Sequence, residues 1–120
     1  MTDEIRDEGY EDIRGFITDE WTHIELRDEN NDQLTRVEID EDDRTSWEHE
    51  PEEQVLILVF EVTGSDDDIP VPSTITGSAL YPSGGSDNER SFSAFDSDKF
   101  LEADAAELRV EHRVQVPQVT

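Results

Sequence analysis

Glu107–Val116 reads ELRVEHRVQV, and its alternation is strict. Leu108, Val110, His112, Val114 and Val116 fall on one side of an extended chain, and Arg109, Glu111, Arg113 and Gln115 on the other. A period of two belongs to a strand with one face on a core and one in water. Pro117 ends it, because proline has no N–H to give a ladder. Such a strand needs partners. Gln54–Val62, QVLILVFEV, is apolar on both faces, with Leu56, Leu58, Phe60 and Val62 opposing Val55, Ile57 and Val59. That pattern predicts a central strand covered on both sides. At about 2 kcal/mol per buried large aliphatic side chain, it would be the largest single contributor to the core.

Working outward, the same period recurs. In WTHIEL, Thr22, Ile24 and Leu26 share a face, and in LTRVEID so do Thr35, Val37 and Ile39. DENNDQ between them is turn-forming, so the two runs predict a hairpin. EDDR makes a further turn before a short strand around Trp47. GSDDDIPVPS is a loop, since Pro70 and Pro72 lack donors. Ser73–Phe95 then reads as a strand, a Gly/Ser-rich tip and a returning strand. At the N-terminus, Ile13, Phe16 and Ile17 have helical spacing and Thr2 precedes acidic residues, which predicts a helix over about 3–14. The expected fold is mainly β: an antiparallel β-sandwich of about seven strands with a short N-terminal helix, in a single domain spanning 1–120.

The chain has 33 acidic and 9 basic residues, a net charge of −24, and one lysine, Lys99. Charge of this density suggests disorder, but the periodic apolar runs argue for a packed structure. A dense acidic surface poor in lysine suits molar salt, where the Debye length falls to about 3 Å and self-repulsion is screened. The expected source is an extreme halophile or a virus of one. Phosphate backbones and anionic membranes would repel such a surface, so nucleic acid is not an expected partner. No signal peptide and no membrane-spanning apolar run is evident, so membrane insertion is not expected. With no cysteine there is no thiolate metal site or thiol nucleophile.

Recognisable catalytic patterns are absent. No nucleophile elbow, Walker loop or dinucleotide fingerprint occurs, and carboxylates are too abundant for a chance pair to be informative. We expect no enzyme and no cofactor. Asp28, Asn30 and Asp32 match the opening of a calcium loop, but Gln33 stands where that loop needs Gly and Ile39 where it needs Glu. The competing reading is an ordinary turn, and DEDD and GSDDD are open to the same two readings, as loose cation collectors or solvated turns. His23, His49 and His112 fall on three different predicted strands without zinc-ligand spacing. His112 is expected partly buried, its ring nitrogens bonded within the sheet. Val55, Ile57 and Val59 form a candidate subunit interface unless the helix covers them.

The hairpin and the final strand resemble a module of tail- and fibre-associated virion proteins of tailed viruses. The matching residues are Thr74, Ile75, Thr76, Ala79, Leu80 and Tyr81, then Gly84, Gly85, Arg90, Phe92 and Phe95, then Leu108, Val110, Val114 and Val116. The helix leading into WTHIEL is similar to the opening of such proteins, although LRDEN replaces their Gly-rich turn. The resemblance covers about half the chain and implies a structural virion component, in the tail, baseplate, fibre or capsid surface. It would join other virion proteins and itself as a homo-oligomer. The alternative is a cellular ligand-binding sandwich, inside or outside a halophilic cell, holding carbohydrate on Trp21, Trp47 and Tyr81.

The charge predicts salt-dependent folding. Circular dichroism across a potassium chloride series should show thermal stability rising with salt; undiminished stability in dilute buffer would refute the halophilic reading.

Overall fold

In a computed structural model the described residues are 6–48, 54–69, 71–101 and 107–116, without the side chains of 96–98. One helix, α1 (Asp7–Glu20), precedes seven strands: β1 (His23–Asp28), β2 (Gln33–Glu38), β3 (Thr45–Glu48), β4 (Val55–Thr63), β5 (Ser73–Tyr81), β6 (Ser91–Leu101) and β7 (Glu107–Gln115). They form a four-stranded sheet in the order β2-β1-β5-β6 and a three-stranded sheet in the order β3-β4-β7. Every pairing is antiparallel. The mainly β sandwich with one N-terminal helix is therefore the fold.

Alternation fills the space between the sheets. Ile24 and Leu26 of β1, Leu58, Phe60 and Val62 of β4, and Leu80 of β5 are buried in one cluster with Ile75, Leu101 and Val110. On β4 the inner row of Leu56, Leu58, Phe60 and Val62 is shut from water, as its pattern predicts. On β7, Val110 and His112 are buried while Arg109 and Arg113 are exposed. A slip of one residue would exchange the two sets, so this pattern fixes the register.

The helix differs from its expected bounds. The predicted end near Arg14 is corrected to Glu20, and Gly15 lies inside the helix. A Cβ at Gly15 would meet nothing, so that glycine costs only about 1 kcal/mol of helix propensity. Burial of Arg14 and Ile17 offsets that cost and carries the helix onward. Arg14 Nη1 donates to the Val116 carbonyl oxygen (2.6 Å), tying α1 to the end of β7. Asp7 and Glu8 occupy the first turn, where the helix dipole favours negative charge.

The four-stranded sheet is irregular at the end of β1, where its register with β2 and β5 shifts, and again between β5 and β6. Gly77 lies where a Cβ would come within 2.8 Å of the Ser93 carbonyl oxygen, so only glycine lets β6 approach there. Just before it, Ile75 pairs with Lys99 and Gly77 with Ala94. One residue of β5, Thr76, thus faces four of β6, 95–98, in a wide bulge.

His112 joins the sheets. It projects from β7 with no exposed surface, and its Nδ1 and Nε2 share hydrogen bonds with Ser78 Oγ (2.7 Å) and Ser91 Oγ (2.8 Å) of the opposite sheet. The expectation of a partly buried ring bonded within its own sheet is corrected: the ring is fully buried and bonded across the sandwich. The reason is the inward parity it shares with Val110.

Burial pushes the His112 pKa down to about 4. Because the folded value lies below the ordinary 6.5, the neutral ring stabilises the fold fully above pH 6.5, and that stability is lost as pH falls toward 4. The loss reaches about 3 kcal/mol from this group. Denaturant midpoints in high salt should fall less steeply over that window in His112→Gln than in the parent chain. Equal slopes would refute the assignment.

Candidate functional site

The parity that buries Ile24 and Leu26 sends Glu25 and Arg27 to the outer face of the four-stranded sheet. Such a face is ordinarily solvated, yet Glu25 is 3% exposed. Its carboxylate accepts from Arg27 Nε (2.8 Å), Arg36 Nε (3.2 Å) and Nη2 (2.9 Å), and the Tyr81 hydroxyl (3.0 Å). Arg27 Nη2 donates to the Tyr81 oxygen, and the Arg36 guanidinium lies 3.6 Å over the Tyr81 ring.

The β5–β6 connection folds back over this cluster. Arg36 Nη1 donates to the carbonyl oxygens of Gly84 (3.0 Å) and Ser86 (2.7 Å), Arg27 pairs with Glu89 (3.3 Å), and Thr22 Oγ1 donates to the Pro82 carbonyl oxygen (3.1 Å). Two arginines thus meet two glutamates, and the Gly/Ser tip is a tethered cover. The charges of Glu25, Arg27 and Arg36 are thus paired with one another, and Glu89 at the edge stays exposed.

A second cluster absorbs the acidic turns. Arg44 donates to Asp42, Asp66 and Asp68, joining the β2–β3 turn to the β4–β5 loop, and Thr35 Oγ1 donates to Asp68. The Arg44 guanidinium beside them holds the carboxyls of Asp42 and Asp68 below the usual range. DEDD and GSDDD therefore converge on a guanidinium. At the calcium candidate, Asp28 Oδ1 accepts the amide N–H groups of Asn30 (2.9 Å) and Asp32 (3.0 Å), and Asn31 turns the chain at φ 63°. Asp28, Asn30 and Asp32 form the β1–β2 turn. Among the described residues no three His, Cys, Asp or Glu side chains gather to hold a metal. His23 bonds Thr22, His112 bridges the sheets, and His49 lies outside the described residues.

The aromatic platform of the carbohydrate reading does not assemble. Tyr81 is 3% exposed beneath Arg36, and Trp21 and Trp47 pack against the core. At the candidate interface, Val59 is 2% exposed, whereas Val55 and Ile57 are half-buried. Arg109, opposite Glu61, reaches across β4 to Glu48, which is opposite Ile57. That ion pair crosses β4 at the level of Val59. Arg109 also pairs with Glu61 and Glu111, so a lattice of charged side chains stands over the outer row.

An open surface lies between the edge strands β6 and β7. A groove of about 720 Å³ is lined there by Lys99, Arg109, Glu111 and Arg113 with Phe95 and Val110. A second of about 640 Å³ shares Arg113 and extends to Arg90, Phe92, Val114, Val55 and Trp21. Four of the chain's nine cations line these two hollows, and Glu111 is the one acid among their described lining residues. Arg109 is paired there with Glu48, Glu61 and Glu111, and Arg113 with Glu111 (2.8 Å), so four cations meet three glutamates and the groove is less acidic than the rest of the molecule. Of the candidate interface residues only Val55 reaches this groove. Trp21, an aromatic of the carbohydrate reading, also lines it; sequence reasoning missed its cations, although a signal existed: four of nine fall within 90–113.

Arg36→Ala should leave Glu25 underpaired and release the tip, lowering stability by about 3–5 kcal/mol. Limited proteolysis should then cut within 82–90, and Arg36→Lys should rescue only in part because the two-pronged fork is lost. An uncut tip would show that Arg36 does not hold it. In comparison with known proteins, the chain matches no family model, no curated protein and no solved structure.

Proposed function

We propose that this chain is a non-enzymatic structural protein of the virion of a halophilic tailed virus, which joins other virion subunits and copies of itself. It would sit in the tail, baseplate, fibre or capsid surface. The observation that carries the joining role is the β6–β7 groove, where Arg90, Lys99, Arg109 and Arg113 face outward on an otherwise acidic molecule. An open, basic, partly aromatic groove between edge strands suits an acidic protein surface. The ionic clusters around Glu25 and Arg44 are used up in holding loops, which supports a scaffold. The virion setting is supported by the resemblance of Thr74–Tyr81, Arg90–Phe95 and Leu108–Val116 to tail- and fibre-associated modules, and by the net charge of −24.

Mass spectrometry of gradient-purified particles should detect the chain at a fixed ratio to the major capsid protein. Antibody labelling should place it at one structural location. A chain that stays in the cell lysate, away from particles, would overturn the reading.

A further inference from the structure

Two exposed surfaces of this molecule complement one another. The β6–β7 groove offers cations beside apolar side chains, with Phe92 45% exposed. α1 offers the opposite. Six of its fourteen residues are acids, and its single cation, Arg14, is buried. Ile13 and Phe16, three apart and so neighbours on one side of the helix, are 39% and 58% exposed. Asp12, Asp19 and Glu20 fall at i−4, i+3 and i+4 of Phe16, and all three are exposed. The fold buries Ile17 instead and leaves this apolar pair in water within an acidic ring.

We propose that α1 of a second copy of this chain docks in the β6–β7 groove. Ile13 and Phe16 meet the end lined by Trp21, Phe92 and Val114, and Asp12, Asp19 and Glu20 meet Arg90 and Arg113. Charge complementarity selects this occupant. The groove repels cationic segments, and α1 joins exposed apolar side chains to surrounding acids. Concentrated salt weakens exposed pairs but leaves the apolar contact, so the association persists where the fold is stable. The contact joins two different patches and is therefore heterologous; it closes into a ring or continues as a filament. It deepens the joining role proposed above by naming the contact between copies, and it does not depend on a virion setting.

The test is light scattering with circular dichroism in concentrated potassium chloride over a series of protein concentrations. The parent chain should assemble as concentration rises. Phe16→Asp and Arg113→Glu should each stay folded and run as single chains, because both side chains are exposed. Mixed one to one, they should form a pair and stop there. The Phe16→Asp chain keeps a working groove and the Arg113→Glu chain a working helix. If Arg113→Glu does not fold, Arg90→Glu takes its place. A parent chain that stays monomeric, variants that assemble like the parent, or a mixture that stays monomeric would each overturn the proposal. None of these results bears on whether the chain is found in particles.

Discussion

Glu25 is the residue on which the outer half of the molecule depends. A carboxylate on a sheet face is ordinarily left to water, and burying one without partners is prohibitive. Here donors from β1, β2 and β5 surround it, and two of them, Arg27 and Arg36, also reach the connection after β5. Gly77 completes the arrangement on the same face. A Cβ there would meet the Phe92 ring at 3.1 Å, and Arg27 lies 4.9 Å over that ring. The outer layer is thus a polar second core. Its members depend on one another, because removing Arg27 or Arg36 leaves the buried Glu25 carboxylate underpaired.

Eight of the nine cations fall into two groups. Arg14, Arg27, Arg36 and Arg44 bind inward, to a carbonyl oxygen, to Glu25 or to three aspartates. Arg90, Lys99, Arg109 and Arg113 line the groove. This division explains why the basic residues are nearly all arginine. Arg44 reaches three aspartates and Arg109 three glutamates, which a planar fork with five donors can do and a single ammonium does poorly. Where positive charge is scarce, each guanidinium links several acidic segments at once.

Most of the strands were legible because alternation reports directly on which face is wet. Glu107–Gln115 and Val55–Thr63 are the clearest cases. The same rule failed where a polar residue is buried. Nothing in the alternation marks Glu25 and Arg27 as buried, because the pattern distinguishes apolar from polar and carries no information about a loop folding back from 82–90. His112 lay on the inward parity, yet its partners Ser78 and Ser91 sit in the other sheet, which local sequence cannot pair with it. The helix was expected to end near Arg14 because propensity is local, whereas the burial of Arg14 and Ile17 that extends it to Glu20 is tertiary. The acidic turns read as loose cation collectors or solvated turns because Arg44, which occupies their centre, is a single residue among many charges. The groove was hidden for a related reason: its cations come from separate strands and meet only when the sandwich closes.

The wide bulge in β6 has a consequence for what happens between molecules in a crowded solution. An unpaired edge strand is a template on which another strand can hydrogen-bond, and highly charged proteins ordinarily rely on mutual repulsion to prevent it. In salt concentrated enough to screen −24 of charge within one chain, repulsion between chains is screened as well. Protection must then come from shape. With residues 95–98 displaced against Thr76, the β6 edge presents no long regular row of N–H and C=O groups to a neighbouring strand. In salt of that strength, where charge repulsion is screened, the irregular edge is a poorer template for strand addition than a straight one.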